Sequence, residues 1–388
     1  MKGLYIGLMS GTSIDSLDVA LISVNDATDI SLIDVSSNPW PDNVKLSLHS
    51  LCTSSDNEIY KLGICRKKLS EIAARGILDL LRHNNLKPRD ITAIGSHGQT
   101  IRHCPHEGFT FQLDDPAYLA AITGIDVIAD FRASDVARGG EGAPLTPLFH
   151  REVFGSDKEI RYILNIGGIC NLTVIDTDKT IVAGYDTGPG NTLIDLVCRQ
   201  KLNCDFDKDG KHAKQGSVNS SLLSELLSHP YLALSFPKST GRETFNESII
   251  AKALTDAQSN AEIDSLIATL TAFTISATVH EILKLRAQWP YSVAQRLILC
   301  GGGAYNPALR SGFTDAMTQN GISVSLSSDL GVSEQYLEAE AFAYFAWLFT
   351  QRQRVDLSAI TGSGEPQIMG ALYPAAYGCY ANSKTYSS

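Results

Sequence analysis

Three glycine-rich loops that follow predicted strands are the parts of this sequence best suited to chemistry. The first contains Gly11, and the other two are DTGPGN (from Asp186) and CGGGAYN (from Cys300). Backbone N–H groups without bulky side chains around them bind phosphate groups well. The three loops together therefore predict a site for a nucleoside triphosphate, although a simple turn is the better explanation for any one of them alone. The candidate glycines are Gly11, Gly188, Gly190, Gly301, Gly302 and Gly303.

The common nucleotide-binding motifs do not account for these loops. The pair Gly210–Lys211 lacks both the earlier Gly and the following Ser/Thr of a P-loop. The stretch GPGNTL ends in Leu193, where the dinucleotide-binding G-x-G-x-x-G pattern requires Gly. The motif set of the protein kinases is absent as well. The sequence thus disfavours P-loop, Rossmann and protein-kinase folds.

Carboxylates stand beside two of the loops. Asp15 and Asp18 flank the first loop, and Asp186 opens the second. Mg²⁺ carried by ATP keeps several waters and takes only one or two protein carboxylates. Asp15 and Asp18 are therefore predicted to hold Mg²⁺ through water. The alternative for Asp15 is a hydrogen bond that caps its own turn.

Composition limits the kind of protein and its partners. The 388 residues are 44% apolar and 19% charged, which is typical of globular proteins and suggests two domains. The net charge of −10 disfavours nucleic acid and anionic membranes as partners. No stretch of 18 apolar residues occurs, and the eight cysteines form no C-x-x-C pair. These features predict a protein of the reducing cytoplasm with no membrane segment and no zinc site.

The hydrophobic pattern predicts alternating strands and helices in both halves of the chain. Strands are expected at Tyr5, Leu17 and Ile91, and on both sides of the Gly-Gly turn in RYILNIGGICNLTVI (from Arg161). Helices are expected over 56–83, from Pro116, over 263–285 and over 336–350. A strand that opens into a polar, glycine-containing loop recurs in each half. We therefore predict two related α/β lobes with a cleft that gathers the three loops.

Several longer motifs make this chain similar to one known family. They are MSGTSIDSLD (from Met9), GSHGQTIRH (from Gly95), DFRASDVARGGEGAPLTPLFH (from Asp130), NIGGICNLT (from Asn165), DTGPGN, CGGGAYN and TGSGEPQIMGALYP (from Thr361). In their order and spacing they resemble the anhydro-N-acetylmuramic acid kinases. The resemblance implies a two-lobed, actin-like (ribonuclease H-like) α/β fold with ATP in the interlobe cleft. It places the first lobe at 1–127 plus 360–388 and the second at 128–359.

The resemblance also implies a reaction and roles for single residues. The family converts 1,6-anhydro-N-acetylmuramic acid, ATP and water into N-acetylmuramic acid 6-phosphate and ADP, in bacterial cell-wall recycling. Asp186 matches the catalytic base, the alternative being a helix N-cap. The ATP site would comprise Gly11, Thr12, Ser13, Asp15, Ser16, Asp18, Gly188, Gly190, Asn191 and Gly301 to Gly303. The sugar site would comprise His97, Gln99, Thr100, Arg132 and Glu338, with Glu338 as readily a buried structural partner.

Two positions depart from the family pattern, and two other function classes stay open. Ser16 stands where the family usually has Gly, and Glu141 where it often has Gln. The resemblance further implies a homodimer. An actin-like ATPase of the chaperone or filament type is the main alternative function, and a non-catalytic sugar sensor is a second. The density of sugar-side motifs favours the kinase over both.

Overall fold

The chain folds into two α/β units, each built on one mixed β-sheet. A computed structural model describes residues 3–11, 14–241, 244–290 and 292–376. The first unit comprises Met1–Val153 and Tyr336–Ser388, and the second comprises Phe154–Gln335. These boundaries differ from the predicted 127/128 and 359/360. The predicted boundaries would detach β6 (Val127–Ala129) from the strand it pairs with, and the helix Leu337–Thr350 from the sheet it covers.

The sheet of the first unit has seven strands in the order β12-β6-β4-β1-β2-β3, with β5 paired to β4. The strands β1, β2 and β3 run antiparallel, whereas β1, β4 and β6 run parallel. Their bounds are β1 (Gly3–Ser10), β2 (Ser16–Val24), β3 (Ile30–Pro39), β4 (Ala93–Cys104), β5 (Phe109–Leu113), β6 and β12 (Ala371–Tyr373). Because β1 and β2 are buried almost throughout, this sheet forms the centre of the unit.

Helices cover both faces of this sheet. They are α1 (Asp42–Leu51), α2 (Glu58–His83), α3 (Pro116–Thr123), α4 (Phe131–Val136), α5 (Pro147–Phe154), α12 (Leu337–Thr350) and α13 (Ser358–Thr361). On one face, α2 buries an apolar stripe that includes Leu69, Ile77 and Leu80. On the other, α12 crosses β1 and β4. Eleven of its fourteen residues are buried, so it is the central helix of this unit.

The second unit has five strands in the order β11-β10-β7-β8-β9. Here β7, β8 and β9 run antiparallel, and β7, β10 and β11 run parallel. Their bounds are β7 (Glu159–Ile166), β8 (Ile169–Ile175), β9 (Ile181–Pro189), β10 (Ala294–Cys300) and β11 (Ser323–Leu326). The helices are α6 (Thr192–Val197), α7 (Lys211–Gln215), α8 (Ser220–Leu227), α9 (Ala251–Asp256), α10 (Asn260–Arg286) and α11 (Pro307–Thr318).

The strand order of the second unit repeats that of the first. In each, three antiparallel strands are followed by parallel strands added next to the first strand of the unit. This is the ribonuclease H-like order, and it confirms the predicted α/β class and the relatedness of the two lobes. It also makes the β7–β8 turn the topological equivalent of the β1–β2 turn.

By length and composition alone, α10 could cross a membrane. Its most apolar window has a mean hydropathy of 1.5, and 67% of that window is buried inside the protein. It packs against α7, α8, α11 and β9. We therefore interpret α10 as the core helix of the second unit.

Candidate active site

The β1–β2 turn carries the first glycine loop. Gly11 follows the end of β1, and the Ile14 N–H donates to the Gly11 carbonyl at 3.1 Å. Ile14, and not Ser16, holds the left-handed conformation of this turn, with φ of 60°. Ser16 already belongs to β2, so the departure from Gly requires no unusual backbone there. The predicted ATP ligands Thr12 and Ser13 lie outside the described residues.

Gln99 supports this turn from the neighbouring strand β4. Its Oε1 accepts the Ser10 hydroxyl at 2.6 Å, and its Nε2 donates to the Gly11 carbonyl at 3.2 Å. Trp40 Nε1 donates in turn to Ser10 Oγ at 3.0 Å. Gln99 is only 1% exposed. Its amide is thus engaged inside the protein, and we propose that it holds the turn instead of touching the sugar.

Asp15 and Asp18 differ in their surroundings. The Asp15 side chain is exposed, and no side-chain hydrogen bond of its carboxylate is present among the described residues. Asp18 Oδ1 accepts hydroxyls from Ser37 at 2.6 Å and Ser16 at 3.3 Å. Burial raises the pKa of Asp18. Both hydroxyls reach the same oxygen, and within the described part of the chain no hydrogen bond uses the other, which we propose faces a water on Mg²⁺.

His97 and Arg132 form the best-defined polar pair of the first unit. Arg132 Nε donates to His97 Nε2 at 2.8 Å, while His97 Nδ1 lies 2.7 Å from the Gly98 carbonyl. Burial, and secondarily the Arg132 charge, holds the pKa of His97 well below its usual value. The ring is therefore neutral, with its proton on Nδ1. A second bond, from Arg132 to the Gly142 carbonyl at 2.9 Å, fixes the guanidinium direction.

The remaining predicted sugar residues of this unit are placed less tightly. Thr100 lies on β4, where its hydroxyl accepts from Gln112 at 3.2 Å. Glu338 lies in the first turn of α12 and is half-buried. The Glu141 N–H donates to the Thr361 carbonyl at 2.8 Å, which anchors the loop containing this second departure.

In the second unit, the β7–β8 turn meets the loop that follows β9. The turn consists of Gly167 and Gly168, and the Asn191 side chain donates to the Gly167 carbonyl at 3.0 Å. A side chain at Gly190 would overlap that same carbonyl, so glycine is needed there for close approach. Gly167 and Gly168 were not predicted as site residues, although the Gly-Gly pair between two strands in NIGGICN was an available signal.

The third loop joins the same edge of this sheet. Side chains at Gly301 and Gly303 would overlap Asn165 and Ile166 at the end of β7, whereas one at Gly302 would meet nothing within 4 Å. The Gly301 N–H donates to the Glu334 carbonyl at 2.9 Å. The glycine loops after β9 and β10 therefore converge as predicted within this unit. Gly302 alone presents open space.

Asp186 lies inside β9 and is 8% exposed. Its Oδ1 accepts from Asn171 Nδ2 at 3.0 Å, and its Oδ2 accepts from the Thr240 N–H at 3.0 Å. The following helix, α6, begins only at Thr192, so the alternative that Asp186 caps a helix from Thr187 onward is wrong. Position and orientation of this carboxylate are fixed by β8 and by the segment around Thr240.

Two buried oxygens beside this carboxylate have no hydrogen-bond partner within the described part of the chain. They are Asn171 Oδ1 and Thr240 Oγ1, on the two residues that hold Asp186. An unsatisfied buried polar atom is costly, and a cluster of them indicates a site completed by water or a ligand. Neither Asn171 nor Thr240 was predicted from the sequence. A lone Asn in a strand and a Thr in a loop carry no distinguishing pattern.

Among solved structures, similar chains share a shape with this one only in part. One is the activator of the 2-hydroxyisocaproyl-CoA dehydratase from Clostridium difficile with bound ADPNP, at 12% identity and a TM-score of 0.42, covering 91% of this chain and 96% of that one. Another is a ROK family glucokinase from Streptomyces griseus in complex with glucose and AMPPNP, at 11% identity and a TM-score of 0.39, covering 88% and 98%. At these scores the likeness carries no functional conclusion.

Sequence relatives are much closer. A Shewanella pealeana anhydro-N-acetylmuramic acid kinase is 42% identical over 375 residues, which is 96% of this chain and 98% of that protein. The enzyme of the same name from Pseudomonas syringae pv. syringae is 38% identical over 377 residues, or 97% and 100%. The family model for anhydro-N-acetylmuramic acid kinase matches residues 3–375. The chain therefore belongs to the anhydro-N-acetylmuramic acid kinase family, a family of phosphotransferases.

Proposed function

We propose that this protein uses ATP and water to open 1,6-anhydro-N-acetylmuramic acid and phosphorylate its O6, giving N-acetylmuramic acid 6-phosphate and ADP. The names of its relatives support the substrate. We propose further that the enzyme acts in the cytoplasm as a homodimer in cell-wall recycling. Family resemblance supports these last points.

The chemistry needs only one carboxylate. The anhydro sugar has an internal acetal that joins C1 to O6. Water adds its oxygen to C1 and loses a proton to the base, the C1–O6 bond breaks, and O6 takes the γ-phosphoryl group as ADP leaves. An inverting glycosidase uses a second carboxyl group to protonate the leaving oxygen. Here the phosphoryl group fills that role, and entry of water opposite O6 predicts inversion at C1.

The environment of Asp186 is the observation that supports this proposal most strongly. Its Oδ1 accepts from Asn171 and its Oδ2 accepts from Thr240, so the carboxylate is held in a fixed orientation. Asn171 Oδ1 and Thr240 Oγ1, which have no hydrogen-bond partner among the described residues, lie beside it and suit the hydrogen-bond needs of the attacking water. We propose that Asp186 is the general base.

For ATP, we propose that the turns Gly11–Asp15 and Gly167–Gly168 bind phosphates and that Gly302 lies against the adenosine. Their equivalent places in the repeated topology support a shared task. Mg²⁺, held through water by Asp18 with Asp15 nearby, would neutralise charge on the phosphates. Gly190 supports the second turn by close packing and Asn191 by a hydrogen bond, whereas Gly188 lies against Leu232 and Ala277.

For the sugar, we propose that Arg132 binds the lactyl carboxylate. A guanidinium pairs with a carboxylate through two parallel hydrogen bonds, which requires a fixed orientation. His97 supplies that orientation as a neutral acceptor, and the Gly142 carbonyl supplies a second anchor. Thr100 and Glu338 remain candidate contacts for the sugar hydroxyls and the N-acetyl group.

Isotope labelling tests the reaction directly. The protein, with Mg-ATP and 1,6-anhydro-N-acetylmuramic acid in ¹⁸O water, is expected to give a 6-phosphorylated product that carries the label at C1. Mass spectrometry locates the label, and NMR during turnover reports the configuration at C1. Product without label in the sugar would refute ring opening by water, and absence of product would refute the kinase proposal.

Asp186→Asn tests the base. The substitution keeps the size of the side chain but removes its capacity to take a proton, so kcat should fall by at least about 1,000-fold. ATP affinity, measured by calorimetry, should stay within about twofold. Asp178→Asn, at an exposed carboxylate of the same unit, is the matched control and should retain full activity. Retained turnover in Asp186→Asn would remove Asp186 as the base.

A further inference from the structure

A lysine and a glutamate are buried together behind Asp186. Lys238 Nζ lies 3.4 Å from Glu281 Oε1 on α10, and their side chains are only 3% and 5% exposed. Burying such a pair costs desolvation energy that apolar residues of similar size would avoid. A gain in stability therefore does not explain the buried pair, whereas its connections to Asp186 do.

The backbone beside Lys238 holds Asp186. The Asp186 N–H donates to the Lys238 carbonyl at 3.3 Å, and two residues later the Thr240 N–H donates to Asp186 Oδ2 at 3.0 Å. Contacts that hold Lys238 in place therefore also hold the Thr240 N–H that donates to the Asp186 carboxylate. The segment 238–240 thus connects the buried ion pair to Asp186.

Two aromatic rings lie close to the Lys238 ammonium group. It lies 5.0 Å from the centre of the Tyr231 ring and 5.7 Å from that of Tyr185, within cation–π range. The Tyr231 hydroxyl donates to the Asp186 carbonyl at 2.7 Å, and the Tyr185 hydroxyl donates to Glu281 Oε2 at 2.9 Å. Tyr231 thus links the Lys238 ammonium group to the Asp186 backbone, and Tyr185 contacts both members of the ion pair.

We infer that the Lys238–Glu281 pair is a positioning device for Asp186, which sets the direction of the carboxylate and favours its ionised form. The inference rests on the proposed role of Asp186 as base. Lys238 touches neither water nor sugar in this scheme, and it acts through the Thr240 donor and through its charge. Attraction between Lys238 and Asp186 is mutual, so a charge at Lys238 favours a charge at Asp186.

Other charged or titratable groups face this cluster from each element around it. In the described part of the chain they are Lys284 on α10, Tyr185 on β9, Cys170 on β8 and Tyr231 in the 3₁₀ turn Pro230–Ala233. Burial raises the pKa of the Cys170 thiol to about 12, and burial with the Glu281 charge raises that of Tyr185 further. Cys170 and Tyr185 therefore carry no charge near neutral pH, and Lys284 is a second cation on Glu281.

Lys284 provides a matched control. It also reaches Glu281 Oε1, at 3.5 Å, but it is half exposed and has no link to Asp186. Lys238→Met should lower kcat by about 10- to 100-fold and leave KM for ATP within about twofold. In the profile of kcat against pH, the acidic limb should move to higher pH by about half a unit or more. Lys284→Met should leave both kcat and the limb close to those of the parent protein. Lys238→Arg keeps the positive charge and should return the acidic limb of the pH profile to its position in the parent protein.

Glu281→Gln extends the test in the opposite direction. It removes the negative charge of Glu281 and keeps Lys238, so the acidic limb of the pH profile of kcat should move to lower pH. We expect kcat itself to fall, because Lys238 is held less firmly. It also serves if Lys238→Met does not fold. A purely structural pair would lower the yield of folded protein and leave the limb in place, which would overturn the inference. Failure of the base proposal is recognised separately, by turnover that persists in Asp186→Asn.

Discussion

Three consecutive glycines after β10 show how different the demands on neighbouring residues are. Gly301 has φ of 80° and lies against Asn165, which excludes any side chain. Gly303 lies equally close to Ile166. Gly302, between them, faces open space, so nothing in the described protein requires glycine at that position. The open space at Gly302 is compatible with the proposed contact to the adenosine.

Gly302→Ala should therefore weaken nucleotide binding without weakening the fold. We expect KM for ATP to rise at least about fivefold, because the added methyl group occupies space reserved for the adenosine, while the free energy of unfolding changes by less than about 0.5 kcal/mol. Steady-state kinetics and urea unfolding measure the two quantities.

Two controls accompany this experiment. Gly63→Ala, at another glycine with open space around it but on α2, should change neither KM nor kcat. Gly303→Ala should destabilise the protein, since its methyl group overlaps Ile166. Unchanged KM in Gly302→Ala would remove Gly302 from the nucleotide site.

At the scale of elements, the seating of α12 on its sheet depends on two small residues. Side chains at Gly7 on β1 and Gly95 on β4 would overlap the α12 carbonyls of Ala339 and Phe342. The helix backbone therefore lies directly on the strands. This close approach places the Phe342 ring 4.7 Å from the His97 ring and so helps to fix the partner of Arg132.

Gly95→Ala should lift α12 from the sheet. Because the overlap is with backbone and not with a flexible side chain, we expect the free energy of unfolding to fall by about 3 kcal/mol, measured by urea denaturation. KM for the sugar should rise as well, since His97 would lose its packing. Gly364→Ala, at a glycine with open space, should leave stability within about 0.5 kcal/mol. Equal stability of the two variants would contradict the close seating.

Elements with a strong apolar pattern could be predicted from the sequence, and polar or exposed ones could not. The strand at Tyr5, its return at Leu17 and the helix over 263–285 are all observed, as β1, β2 and α10. The strand β3 was missed, because it lies at the sheet edge and its residues are largely polar and partly exposed. The glycine loop before α6 was predicted from the sequence, and α6 itself is only six residues long.

The same distinction applies to the site. Asp186 and the glycine loops could be proposed as site residues from motifs, since their residue types and order are unusual. The groups that orient them could not, because Asn171, Thr240 and Lys238 acquire their importance only from contacts distant in sequence. Gln99 shows the converse case, since its motif suggested a sugar ligand and its buried amide is bonded to Ser10 and Gly11.

At the scale of the whole molecule, the repeated strand order separates the fold from the function. A ribonuclease H-like sheet with a glycine turn between its first two strands, present once in each unit, is compatible with a kinase, a chaperone ATPase or a filament protein. In the proposed function, the groups that distinguish the kinase lie outside that repeat. They are the His97–Arg132 pair in the first unit and the Asp186 carboxylate with its donors in the second.

ATP consumption that requires the sugar is the prediction that separates these classes. A chaperone or filament ATPase hydrolyses ATP by itself, whereas in the proposed reaction the acceptor is O6, which is released only when the acetal opens. ADP should therefore form in a 1:1 ratio with phosphorylated sugar, and the rate without sugar should be at least about 100-fold lower. A coupled assay for ADP with mass spectrometry of the sugar measures both. Arg132→Lys should retain the ratio while raising KM for the sugar, because a point charge replaces the bidentate guanidinium. ADP release of equal rate with and without sugar would instead support the chaperone or filament class.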